Sequence, residues 1–446
     1  MTTRVVIVRH GQSSYNTQQL IQGRCDESIL TEKGRTDAQK VGAALSNLRF
    51  DAFYSSPLQR ATETAEIIHA CLETPPPLQV ADKLAEVDLP LWEKQSKQEV
   101  QAKFPEDYRF WKSRPHEFRM LVPTPAGKQQ HYPVLSLYEQ AQQFWHELLG
   151  QHQGGTVLIV AHNGINRCLI SSAIGISPSR YHTIRQSNGG ISVLNFTGGW
   201  GDPVQLESLN QTAHSGVALP EKPSQGLRLL LVRHGETEWN YFSRYQGRVD
   251  IPLNDKGREQ ARKVAEFLKD VSIDFAITSP MVRPTETAEA ILEHHPHLTL
   301  ERKPRLTEIN HGLWEGKLEE EIKAEYADIL RQWKEAPARV QMPEGENLQQ
   351  VWDRAIACWQ DLVQAANADS FQLQTGVIVA HDAINKVILC YLLGLKPENF
   401  WNVKQGNGAV SVIDYPQADD LPVLQTINIT THLSQGVFDS TAAGAL

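Results

Sequence analysis

The same short device occurs twice in this chain. Val5-Val6-Ile7-Val8 runs into Arg9-His10-Gly11, and Leu229-Leu230-Leu231-Val232 runs into Arg233-His234-Gly235. An uninterrupted branched apolar run of this kind predicts a strand buried on both faces. The glycine that ends it allows a turn without a Cβ penalty. An arginine and a histidine are thereby delivered together to the carboxyl end of a strand, which is where open α/β sheets place their ligands.

The motifs downstream of each device also repeat. His234 lies 224 residues after His10, Arg283 lies 223 after Arg60, Glu308 lies 222 after Glu86, and His381 lies 219 after His162. A period this long excludes a solenoid and predicts a tandem duplication of a whole domain. Residues 213–226 have turn and linker composition, so the expected domains are 1–215 and 226–446.

Within each copy the motifs come in one order. Asn16 and then Gln22-Gly23-Arg24 follow the first histidine, and Asn240 and Gln246-Gly247-Arg248 follow the second. A solvated loop is the ordinary expectation for any one of these residues, and the recurrence favours a role. Gln22, Gly23, Gln246 and Gly247, with Asn163, are expected to line a substrate loop. Thr31 precedes Ala38, Val41 and Leu45, and Asn254 precedes Ala261, Val264 and Leu268. Each set predicts a capped helix with one apolar face.

The next strands run into Ser56-Pro57 and Ser279-Pro280. Serine as cap with proline at the first helical position predicts a helix start, and Arg60 then lies about one turn inside it. Pro284 directly after Arg283 disfavours a helical Arg283, so the second helix is expected to start later. Glu86 and Glu308 each precede a tryptophan by six residues and are candidate proton donors. The polar segments up to about residues 133 and 343 differ between the copies and are expected to be specificity-setting lids. Val157 to Ala161 then delivers His162, and Val377 to Ala380 delivers His381, each at the end of another buried strand.

Composition narrows the function. A formal charge of −9 argues against non-specific nucleic-acid binding while leaving room for a local phosphate pocket. Five scattered cysteines without a CxxC pair give neither a disulfide framework nor a zinc site. Cys168 and Cys390 are expected to be buried and inert. Neither a signal peptide nor an 18-residue apolar run is seen, so a cytoplasmic protein without membrane contact is expected. No metal or cofactor is called for. The cluster His294-His295-Pro296-His297 is expected to be a solvated turn.

Arginine grips phosphate with a planar fork, and a neutral histidine is a competent nucleophile near neutral pH. Arg9, Arg60 and His162 would hold a phosphoryl group, His10 would attack phosphorus, and Glu86 would protonate the leaving alcohol. Arg233, Arg283, His381, His234 and Glu308 would take the same roles in the second copy. The expected partners are a small phosphorylated metabolite and inorganic phosphate, with a homodimer as a further expectation.

These motifs resemble the histidine phosphatase superfamily, the phosphoglycerate-mutase-like proteins, over nearly the whole chain. The resemblance implies an α/β fold: two tandem three-layer α/β/α domains, each with a mostly parallel central sheet flanked by helices. It also implies a phosphohistidine intermediate, with His10 and His234 as nucleophiles and Asn16 and Asn240 as phosphate contacts. Within the family, the first half is similar to the branch that dephosphorylates 2-carboxy-D-arabinitol 1-phosphate, a Rubisco inhibitor. It shares the RHGQS opening, HYPV at 131–134, QSNGGISVL and LNQT at 209–212. That likeness implies a photosynthetic, cyanobacterial source. Pro90 and Lys94 stand in the first half where the family pattern has glycines, whereas the second half keeps the pattern from Leu306 to Gly316. The second half by itself resembles phosphoserine or α-ribazole phosphatases. A phosphoglycerate mutase, and a chain with one non-catalytic binding half, remain alternatives.

Overall fold

The computed structural model describes residues 2–441 apart from 126, 367–371, 417–420 and 435. The chain divides into two compact units, Met1–Val217 and Ala218–Leu446.

The strands of the first unit are β1 (Thr3–Arg9), β2 (Ala52–Ser55), β3 (Leu78–Val80), β4 (Met120–Thr124), β5 (Gly127–His131), β6 (Thr156–Ala161), β7 (Ile191–Phe196) and β8 (Val204–Gln211). Its main sheet runs β8-β7-β1-β6-β2-β3. Strands β1, β2, β3 and β6 are parallel, and β7 and β8 are antiparallel. Val5 to Val8 are fully buried, as a strand covered on both faces must be. Register then sets the site. Arg9 pairs with Ala161, so His10 and His162 leave neighbouring parallel strands at the same level.

The helices of this unit are α1 (Ser14–Thr17), α2 (Glu32–Leu45), α3 (Gln59–Cys71), α4 (Lys97–Lys103), α5 (Pro105–Ser113), α6 (Pro133–Gln151) and α7 (Asn163–Ile174). Thr31 caps α2 by accepting from the Gly34 amide at 3.0 Å, and Ala38, Val41 and Leu45 face the core. The segment after Trp92 forms α4, α5 and the separate hairpin β4–β5.

The second unit repeats the plan with β9 (Leu227–Arg233), β10 (Phe275–Thr278), β11 (Leu300–Arg302), β12 (Gln374–Ala380), β13 (Val410–Tyr415) and β14 (Val423–Ile429), ordered β11-β10-β12-β9-β13-β14. Arg233 pairs with Ala380 and so brings His234 beside His381. Its helices are α8 (Glu238–Tyr241), α9 (Asp255–Leu268), α10 (Val282–Leu292), α11 (Glu319–Glu335), α12 (Leu348–Ala366) and α13 (Asp382–Leu393). Asn254 caps α9 through the Gly257 amide at 2.7 Å. One kinked helix, α11, stands where the first unit has two helices and a hairpin.

Two helix starts differ from expectation. Leu58 and Met281, not the serines, occupy the cap positions, and α3 and α10 begin at Gln59 and Val282. The serine hydroxyls are drawn away to His162 and His381. Arg283 is helical despite Pro284, because proline falls within the first turn, where its missing N–H would have had no helical partner. The arginine is also tied at its far end, through Nη2 to the Gly247 carbonyl at 2.9 Å. His295, expected in a solvated turn, is buried.

The loop after each nucleophile strand packs backbone to backbone on the next long helix. A Cβ on Gly34 would lie 2.0 Å from the Gln12 carbonyl oxygen, and one on Gly257 would lie 1.9 Å from that of Glu236. Gly34→Ala must push the loop carrying His10 off α2. By the usual cost of overpacking, it should destabilise the first unit by about 1–3 kcal/mol in denaturant unfolding, with Gly257→Ala doing the same to the second.

Candidate active site

Each pocket is built around a histidine whose tautomer is fixed. Nδ1 of His10 lies 2.7 Å from the Gly11 carbonyl oxygen, and Nδ1 of His234 lies 2.7 Å from that of Gly235. A carbonyl only accepts, so Nδ1 carries the proton and Nε2 keeps a lone pair. Burial, reinforced by Arg60 and Arg9, holds His10 well below the usual histidine range. Burial with Arg283 and Arg233 does the same to His234. In the second pocket Arg283 Nε donates to His234 Nε2 at 3.2 Å, which requires that lone pair.

Arg60, Arg233 and Arg283 are buried, Arg9 is half-buried, and all are braced from behind. Arg60 donates through Nη1 and Nη2 to the Cys25 and Gly23 carbonyls, both at 3.0 Å. Arg9 Nη1 donates to the Gln186 carbonyl at 2.7 Å, and Arg233 Nη1 to that of Gln405 at 2.6 Å. The Nε atoms of Arg9, Arg60 and Arg233 have no hydrogen-bond partner. Buried donors in that state are a demand for an anion.

Asn16 shows the same logic. Its carbonyl oxygen accepts from the Ser13 amide and from Asn188 Nδ2, each at 3.1 Å, which leaves its NH₂ to offer. Asn240 repeats this with Thr237 and Asn407. Gln246 Oε1 accepts from the Thr237 hydroxyl at 2.8 Å, while its buried Nε2 has no partner.

The second histidines stand edge-on to the first. Ring centroids are 5.1 Å apart for His10 and His162, and 5.3 Å for His234 and His381. His162 Nε2 meets the Ser56 hydroxyl at 2.7 Å, and His381 Nε2 meets that of Ser279 at 2.8 Å. Their Nδ1 atoms are buried without a partner.

The glutamates differ between copies. Glu86 accepts from the amides of Val87 at 2.8 Å, Gly164 at 3.0 Å and Ile165 at 3.1 Å, so it sits on the amino terminus of α7. A Cβ at Gly164 would lie 2.4 Å from Glu86 Oε1. The second unit has Ala383 at that position. There Glu308 has drawn back, accepting from the Ile309 amide at 2.9 Å and from the Ala383 amide at 3.4 Å. Burial is left weakly opposed and raises the Glu308 carboxyl to about 7, with Arg283 pulling the other way and Asp382 adding to the rise.

The loop glycines serve the arginines rather than facing out as donors, because the carbonyls of Gly23 and Gly247 accept from Arg60 and Arg283. Asn163 opens α7, with its buried Oδ1 unpartnered. Several supporting residues escape a motif reading. Glu93 accepts from the Arg24 amide at 2.6 Å, and Glu315 from the Arg248 and Val249 amides at 2.8 and 2.9 Å. Thr64 and Thr287 hydroxyls each accept from the glycine after the nucleophile at 3.1 Å. Their signal is the repeat itself, since each pair recurs at the local offset. Lys94, at φ +63°, holds the left-handed conformation that Gly316 takes at +81°, so the lysine departs from the glycine pattern in side chain and not in backbone. Among the described residues there is no metal-holding cluster and no helix long and apolar enough to cross a membrane.

Known proteins match this architecture. The model of the histidine phosphatase superfamily (branch 1) matches residues 5–210 and 229–430. The 2-carboxy-D-arabinitol-1-phosphatase of Triticum aestivum is 33% identical over 449 residues, 97% of this chain and 87% of that protein. A probable 2-carboxy-D-arabinitol-1-phosphatase of Arabidopsis thaliana is 28% identical over 97% of this chain and 89% of its own length. Phosphoserine phosphatase 1 of Hydrogenobacter thermophilus is 34% identical over 47% of this chain and 95% of its own. The chain belongs to the histidine phosphatase superfamily. Its reaction class is hydrolysis of phosphoric monoesters.

The neutral rings give a direct test. With ¹⁵N-labelled histidine, His10 and His234 should show the Nδ1–H tautomer and no protonation step near 6.5, the ordinary histidine value. An imidazolium appearing at either residue near that pH would contradict the geometry.

Proposed function

We propose that the first pocket hydrolyses 2-carboxy-D-arabinitol 1-phosphate through a phosphohistidine on His10. One observation carries the reading. The His10 ring is pinned by Gly11 so that its Nε2 lone pair faces a pocket holding two guanidinium groups with unused buried Nε donors. The substrate is suggested by the wheat and Arabidopsis relatives, which are similar across both units.

In the first step His10 Nε2 forms a bond to phosphorus as the ester P–O bond breaks. Arg9, Arg60, Asn16 and His162 hold the phosphoryl oxygens. Glu86 gives its proton to the departing alkoxide. In the second step Glu86 takes a proton from water, the water oxygen bonds to phosphorus, and the P–N bond breaks to release phosphate. The second pocket runs the same cycle with His234, Arg233, Arg283, Asn240, His381 and Glu308, on a different small phosphate ester. The second pocket has the same set of side chains, with Arg233 Nε again buried and without a partner, which supports activity there.

Phosphate release from 2-carboxyarabinitol 1-phosphate, phosphoserine, α-ribazole phosphate and 3-phosphoglycerate tests both halves. His10→Ala should abolish turnover of the arabinitol ester and His234→Ala should spare it. Loss of that turnover only with His234→Ala would overturn the assignment. Glu86→Gln should lower it by about 10²- to 10⁴-fold. In the His10→Ala protein the remaining activity needs Glu308 protonated, so it should fall as pH rises through about 7.

A further inference from the structure

The two pockets share their phosphate-holding parts and differ in the charge beside them. Asp382 occupies the position of Asn163 at the start of the helix following the second histidine. It is buried. Its Oδ1 lies 3.4 Å from Arg233 Nη1, and its Oδ2 lies 2.7 Å from Lys386 Nζ. One carboxylate therefore offsets two pocket cations. Lys404 has Asp439 Oδ2 at 3.4 Å.

By the same internal alignment, Arg233, Lys386 and Lys404 correspond to Arg9, Arg167 and Arg185 in the first unit. There the shared position holds the uncharged Asn163. Arg167 meets His182 at 3.4 Å and lies over the Tyr181 ring. Lys97, the first residue of α4, is near enough to these cations for Arg185, Arg167 and Arg9, after partial desolvation, to lower its ammonium. The second unit has Glu319 at that place, 2.5 Å from Lys334 Nζ. Two matched positions thus change toward acid in the second unit, Asp382 within the pocket and Glu319 at the start of α11. Charges this close in a partly dry pocket interact strongly enough to decide which substituent can enter beside the phosphate.

We propose that the second pocket is a separate site for phosphate monoesters that lack a carboxylate near the phosphate, with Asp382 as the residue that excludes it, whereas Asn163 leaves the first pocket cationic and open to carboxylated esters. The proposal deepens the two-site reading above and rests on it. A carboxylate entering the first pocket meets the excess charge of Arg9, Arg167 and Lys97. Entering the second, it meets cations already engaged by Asp382 and the negative charge of Asp382 itself. A neutral hydroxymethyl or a cationic amine on the same carbon carries no such penalty.

3-Phosphoglycerate and glycerol 3-phosphate make the test, because they share a skeleton and differ by a carboxylate against a hydroxymethyl group. In the full chain carrying His10→Ala, Asp382→Asn should raise the kcat/KM ratio of the first ester to the second by about tenfold or more. In the chain carrying His234→Ala, Asn163→Asp should lower that ratio by a similar factor. A ratio that stays put in both backgrounds while turnover persists overturns the proposal. Absence of any turnover in the His10→Ala chain would instead sink the reading of the second pocket as a phosphatase. Charge sorting is then read by titration calorimetry of His10→Ala against His10→Ala with Asp382→Asn. These differ only at residue 382, so first-pocket binding cancels. Selective tightening of 3-phosphoglycerate sustains the proposal, and equal change for both esters refutes it.

Discussion

The hydrogen bond from the His10 and His234 imidazoles to the carbonyl of the next residue sets the terms for everything around it. It links each ring to its own backbone, so the ring cannot rotate without losing that bond. That bond decides which nitrogen is free. A neutral ring then permits two guanidinium groups to be packed beside it, where an imidazolium would add a third positive charge to a dry pocket. The arginines in turn need carbonyls behind them, and the loops that supply these are shaped by Glu93 and Glu315. The close glycine contacts between loop and helix keep that backbone at fixed height.

The paired glutamates show how small a change resets a site. One methyl, at Ala383 in place of Gly164, stands where the carboxylate would otherwise lie against the helix amino terminus. The glutamate makes fewer amide hydrogen bonds, and burial raises its carboxyl to about 7. An aspartate one residue earlier pushes in the same direction and also engages the phosphate-pocket arginine. Two neighbouring residues thus retune acidity and pocket charge together, without moving a strand.

Much of this was legible in the sequence because strand and cap signals are local. The apolar runs before His10 and His162 predict their strands, and Thr31 and Asn254 cap the helices they precede. The family likeness carried the fold. The misreadings came where a distant partner outweighed a local one. Ser56 and Ser279 have the composition of helix caps, yet their hydroxyls meet His162 and His381, more than a hundred residues away in sequence. Arg283 is helical against the preference set by Pro284 because the proline falls in the first turn, and its guanidinium is held at its far end by Gly247 and Val249. Gly23 and Gly247 are expected in a substrate loop, and which way their carbonyls turn, toward Arg60 and Arg283, is set only by the folded loop.

Duplication within one chain has a consequence for abundance. Two enzymes encoded apart can be made in any proportion, and a cell can shift their balance by expression. Two pockets on one polypeptide are always synthesised one to one. Under the two-site proposal their relative output depends on substrate supply and on protons, since burial raises the Glu308 carboxyl to about 7.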